Sequence, residues 1–116
     1  MAAATQQLDT VFRAMADPTR IVVLERLSRG PASVSELSQG VSMALPSFMQ
    51  HLRVLEDCKL VRSEKHGRVR TYELEAEPLM QAELWLNRQR SIWESRLDRM
   101  TVYAESLAAR KNDIED

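Results

Sequence analysis

The sequence predicts a mainly α-helical fold with one small β-hairpin and a long final helix, and three stretches carry that expectation. Residues 42–57 set Phe48, Leu52 and Leu55 at helical steps of four and three, while Ser47, Gln50, His51 and Arg53 fall largely off that stripe. Leu60–Lys65 and Val69–Leu74 hold β-branched and aromatic residues on either side of a turn, His66-Gly67-Arg68. From Pro78 to Arg110 no further Gly or Pro interrupts the chain. A continuous helix of about 30 residues, about 45 Å long, is expected there.

The elements follow in order. A first helix is expected from near Thr5 to Met15, with Leu8, Val11, Phe12 and Met15 on one face; the small and polar residues before it predict a frayed end. Asp17-Pro18 reads as a helix start, with Asp17 as cap and Pro18 in the first helical position. The second helix turns Ile21, Leu24 and Leu27 inward and stops at Gly30-Pro31. Ser33 with Glu36 three residues on matches the capping-box pattern and opens a short third helix, apolar at Val34, Leu37 and Val41 and ending at Gly40. A fourth helix begins between Ser42 and Leu45, because Pro46 is tolerated only in a first turn, and runs to about Asp57. Two helices so closely joined, the second with a polar outer face, make a helix-turn-helix; the hairpin after them makes it a winged one. On the final helix Leu79, Ala82, Leu86, Trp93, Leu97, Met100, Ala104 and Leu107 form a stripe, widened by Trp85, Ile92 and Tyr103. A core of this size cannot cover such a stripe, so the helix needs a partner, most simply its own copy. Lys111–Asp116 reads as a loose tail.

At 116 residues the chain is expected to be one domain over 1–116: helix-turn-helix over 33–57, wing over 60–74, and pairing helices over 1–16 and 78–110. Sixteen basic and 17 acidic residues almost cancel, a weak global signal for a polyanionic partner. The distribution is uneven. Residues 44–74 hold six basic and four acidic side chains together with both histidines, whereas 75–116 hold six basic and nine acidic ones. Affinity for nucleic acid follows the local patch. Cys58 is the only cysteine, so no disulfide forms within one chain. No apolar run nears the roughly 18 residues that span a bilayer, and no leader pattern opens the chain. The expectation is a soluble cytoplasmic protein with no membrane partner.

The polar face of the fourth helix is the main chemical signal. Solvated helix faces usually mix Glu and Lys; this one offers Ser47, Gln50, His51 and Arg53, none acidic. Gln can bond adenine and Arg can bond guanine through paired hydrogen bonds, and Met49 suits a thymine methyl. His51 would fix either a phosphate or a neighbouring backbone group. Lys65, Arg68 and Arg70 at the hairpin tip suit phosphates; the alternative is that such charges keep an edge strand from pairing with other chains. Together these predict binding to double-stranded DNA. Trp85 and Trp93 line either a dimer core or an effector pocket. Cys58 is either a structural thiol or the site of an intermolecular disulfide.

The chain resembles the ArsR/SmtB-type winged-helix repressors of bacteria over nearly its whole length. The resemblance rests on Ala14-Met15-Ala16-Asp17-Pro18-Thr19-Arg20, on Val34-Ser35-Glu36-Leu37, on Gln50-His51-Leu52-Arg53-Val54-Leu55, on Leu60-Val61, and on Gly67 to Leu74. It implies a homodimeric transcriptional regulator, usually a repressor, on an imperfect inverted repeat. It further implies that the first and last helices pair the subunits, through Leu8, Phe12, Leu79, Leu86, Trp93, Leu97, Met100 and Leu107, with the fourth helix in the major groove and the wing along the backbone or minor groove. Metal-sensing members carry Cys-x-Cys in the third helix, where this chain has Ser33 and Ser35, and their second zinc site uses His on the last helix, which has none here. The chain therefore resembles the branch without those ligands, and no metal and no cofactor are expected. The family's glycine before Leu60 is Lys59, and its Gln- or Ser-rich helix start is Met43-Ala44-Leu45.

The competing reading is a winged-helix module that binds protein through the same helix or wing. No paired-carboxylate cleft, Gly-rich phosphate loop or Ser-His-Asp set can be assembled, so no catalytic residue is assigned and an enzyme is not expected.

Overall fold

The computed structural model describes residues 2–115, with side-chain positions for 7–112. Helices α1 (Ala2–Met15) and α2 (Pro18–Leu27) lead into a short strand β1 (Ala32–Ser33), then α3 (Val34–Ser38), α4 (Leu45–Asp57), strands β2 (Val61–His66) and β3 (Val69–Leu74), and the 40-residue helix α5 (Ala76–Glu115). Residues up to Ala82 form one compact unit, and those from Glu83 form a second. No helix among the described residues is long and apolar enough to cross a membrane.

The core of the first unit is where the helical stripes predict it for α4 and only partly elsewhere. Phe48, Leu52 and Leu55 are fully enclosed and meet Val11 and Ala14 of α1, Leu24 and Leu27 of α2, Leu37, Leu60, Tyr72 and Ala82. Burying one such side chain stabilises the fold by about 1.5–3 kcal/mol. On α1, Val11 and Ala14 are buried, while Phe12, expected on the pairing surface, is 36% exposed. Ile21 is 42% exposed while Val23 is buried. Arg20 shares the helical face of Val23, Leu24 and Leu27 and donates to carbonyls at the end of α1, and Ile21 lies off that face.

The caps behave as their chemistry requires. Asp17 caps α2 by accepting from the Arg20 N–H at 3.1 Å, with Pro18 in the first turn. Ser33 and Glu36 close the reciprocal box at 3.2 Å in each direction. The helices at the ends exceed their expected bounds. α1 starts at Ala2, since alanine is the best helix former, and Met1 lies outside the described residues. α5 starts at Ala76, ahead of Pro78, because a proline in the first turn removes an N–H that has no partner anyway. The expected loose tail is helical to Glu115, and Asp116 lies outside the described residues.

The hairpin is part of a three-stranded antiparallel sheet in the order β1-β3-β2, with Ala32 opposite Tyr72 and Ser33 opposite Thr71. A two-residue strand leaves no periodic signal. It matters here because it ties the base of the wing to the start of the helix-turn-helix.

Candidate nucleic-acid interface

The C-terminal end of α4 sets where the wing begins. The Leu60 N–H returns to the Leu55 carbonyl and the Lys59 N–H to the Glu56 carbonyl, both at 3.0 Å. That bonding pattern requires a left-handed residue between them, and Lys59 supplies it at φ 61°. Leu55 and Leu60 are both fully buried, the apolar contact that accompanies such a stop. The other end of α4 is open: Ala44 precedes the first turn without a side-chain cap, and Met43, Ala44, Leu45 and Pro46 are all exposed.

Ser47, Gln50 and Arg53 lie exposed on the side of α4 opposite the core, joined by Val54 at 37% exposure. Val54 escapes a sequence reading because an apolar residue beside Leu55 looks like core. Met49 is half-buried and packs against the core, so it is turned from the exposed face toward the wing. It shares a shallow recess with Arg53, Glu56, Arg70 and Tyr72. His51 is half-buried as well. Its Nδ1 lies 3.1 Å from an Arg20 guanidinium nitrogen and 3.5 Å from an Asp17 carboxylate oxygen. Partial burial works to raise the Asp17 carboxyl, but the Arg20 N–H, the His51 ring and the Arg20 guanidinium outweigh it and hold it below its ordinary value. The sequence offered Asp17-Pro18-Thr19-Arg20 as a helix start and as part of the resemblance, not as a partner of α4; the Arg20–His51 link spans 31 residues and leaves no local pattern.

The wing has two faces of different charge. Strand register places Arg62 opposite Glu73, and the Arg62 guanidinium bonds Glu73 at 2.8 Å and Glu75 at 3.1 Å. The Glu73 hydrogen bond, then the charges of Glu73 and Glu75, raise Arg62 above its ordinary value. Arg62 therefore adds nothing to the basic patch that the sequence had credited to it. On the other face the register sets Lys65 directly opposite Arg70. Like charges across a strand pair are destabilising. One Arg70 nitrogen donates to the Ser63 hydroxyl at 2.8 Å, and that hydroxyl donates to Glu56 of α4 at 2.7 Å. Lys65 and Arg68 have no partner among the described residues. The turn is a two-residue one, Gly67-Arg68, with Gly67 at φ 64° as the primed hairpin turns demand.

The remaining residues singled out in the sequence divide. Leu8 and Leu79 pack partly against the core of the first unit. Leu86, Trp93, Leu97, Met100 and Leu107 stand 45–65% exposed on α5. Burial, and after it the Asp57 carboxylate, push the Cys58 thiol up, against the pull of Arg20 and Arg13. A thiol held protonated is a poor nucleophile. The Ser33 hydroxyl, which stands where a metal-sensing member would carry a thiolate, is engaged in capping α3.

A short helix, a turn, a second helix with an exposed polar face, and a basic-tipped hairpin locked to that helix define a winged helix-turn-helix protein. A family model described as a helix-turn-helix domain matches residues 15–64. The chain is 33% identical over 105 residues to the HTH-type transcriptional regulator Rv2034 of Mycobacterium tuberculosis, covering 90% of this chain and 92% of that one. The crystal structure of an ArsR family transcriptional regulator is 55% identical and superposes with a TM-score of 0.74 over 78% of this chain and 94% of that one. A solution structure described as the homodimeric winged helix-turn-helix DNA-binding domain of a possible ArsR-family regulator of Mycobacterium bovis shares the fold, with a TM-score of 0.62 at 22% identity over 78% and 86% of the two chains. The chain belongs to the ArsR family of transcriptional regulators.

Proposed function

We propose that the protein is a homodimeric, sequence-specific DNA-binding repressor that recognises an inverted repeat. One observation carries the reading. The exposed face of α4 presents Ser47, Gln50 and Arg53 beside the like-charged pair Lys65 and Arg70, and an anion held by those two side chains relieves the repulsion that the register creates. In this reading Gln50 and Arg53 read base edges in the major groove, Ser47 and Met49 border them, and His51, Lys65, Arg68 and Arg70 contact the backbone.

Pairing rests on α5, where the exposed apolar side chains from Leu86 to Leu107 call for a second copy, with Leu8, Phe12 and Leu79 at the margin. Two recognition helices one duplex turn apart, roughly 34–36 Å, fit an inverted repeat. Repression needs nothing beyond a surface that occupies a promoter and a helix that pairs two such surfaces.

Selection of bound duplexes from a random pool, followed by titration of the recovered sequence at several salt concentrations, tests the proposal. The expected result is a palindromic consensus, a steep loss of affinity with salt, and a loss of roughly 1–3 kcal/mol with relaxed preference for Gln50→Ala and Arg53→Ala. A module that binds only protein would enrich no duplex.

A further inference from the structure

The Arg20–His51 contact fixes more than the position of a ring. A guanidinium has only N–H donors, so a nitrogen that it bonds must be an acceptor. The Arg20 nitrogen sits 3.1 Å from His51 Nδ1, within hydrogen-bond reach, while the Asp17 carboxylate is at 3.5 Å. Nδ1 cannot accept from Arg20 and donate to Asp17 at once, and the shorter contact is the one that Arg20 makes. The proton of the neutral ring then resides on Nε2. No hydrogen bond engages Nε2 among the described residues, and no polar side-chain atom there is buried without one, so Nε2 meets solvent. Arg20 is itself held. It donates to the carbonyls of Ala14 and Arg13 at the end of α1, while Arg13 turns its own guanidinium to Asp9 at 2.7 Å. The charged groups in contact with the ring among the described residues are Asp17 and Arg20, both belonging to the start of α2.

We propose that Arg20 is a positioning residue for DNA recognition: it locks His51 in the tautomer protonated on Nε2 and so presents an uncharged donor from the flank of α4 to a phosphate oxygen of the bound duplex. Protonation of Nδ1 turns an acceptor into a donor, breaks the bond with Arg20 and leaves Asp17 as the partner. The target of Nε2 rests on the DNA-binding reading above; the tautomer does not, and can be read on the free protein.

Nitrogen-15 signals of the His51 ring in the full chain at about pH 8 give the first test. The expected result is the Nε2–H tautomer in the native protein and a mixture in Arg20→Met. The Nδ1–H tautomer in the native protein, or no change in Arg20→Met, overturns the lock. The second test titrates the selected duplex. His51→Ala is expected to weaken binding roughly three- to tenfold with an unchanged salt slope, and His51→Gln, which keeps a donor near the Nε2 position, to recover most of it. A slope that falls by about one unit in His51→Gln means a charged contact and overturns the neutral donor. If no duplex binds, the DNA reading and the target of Nε2 fall together, while the ring signals still decide the lock.

Discussion

Lys59 and Asp17 show how single side chains set the local geometry. Lys59 occupies a left-handed backbone position that glycine takes without steric cost. Lys59→Gly is therefore expected to stabilise the free protein by about 0.5–1 kcal/mol, seen as a higher midpoint in urea with the same slope. A lower midpoint would mean that the lysine makes a contact worth more than the backbone strain. Asp17 makes an opposite kind of contribution. Its carboxyl is depressed in the folded chain, so the native state releases that proton more readily than the unfolded one. The stability this adds is fully present above the ordinary carboxylate range and is lost as pH falls through the depressed value. Asp17→Asn keeps a capping oxygen and removes the titration. Its unfolding midpoint should fall less than that of the native protein between about pH 6 and pH 3; parallel curves would remove Asp17 from the acid response.

The wing is the element in which stability and the proposed binding oppose each other. Ser63 joins Arg70 to Glu56, so the hairpin is tied to α4 by a chain of hydrogen bonds, yet its tip sets Lys65 against Arg70. Replacing Lys65 by Thr removes the repulsion and keeps a good strand former. The variant should melt no lower than the native protein, while its duplex affinity should fall alike for all sequences and its salt slope should drop by about one unit. An unchanged slope would show that Lys65 touches no phosphate. α4 differs, because its inner face is core and its outer face is free: the same turn that buries Leu52 exposes Gln50 and Arg53.

At the scale of the whole molecule, the proposed pairing rests on α5. From Glu83 on, the described chain is a single helix, and its large apolar side chains are 36–65% exposed. Such a helix gains little from propensity and most of its stability from packing. Leu97→Glu sets a charge in the middle of the stripe. The expected outcome is a shift from dimer to monomer in sedimentation equilibrium and a large loss of affinity for an inverted repeat. Circular dichroism should report the first unit still folded. A variant that stays dimeric would place the pairing surface elsewhere.

Local chemistry alone specified the helices, their caps and the hairpin, because each has a signal within a few residues: Asp17 before Pro18, Ser33 before Glu36, Phe48, Leu52 and Leu55 at helical steps, Gly67 at the turn. The same local logic singled out Ser47, Gln50, Arg53 and the basic tip. Arg62 is neutralised by Glu73 and Glu75 once the hairpin register is set. Two features depended on packing between segments far apart in the chain: β1 pairs with β3 across about forty residues, and His51 is turned toward Asp17 and Arg20 by the way α2 crosses α4. Such pairings obey no period, since they arise when separately stable elements close on a common core and bring side chains of no fixed spacing together.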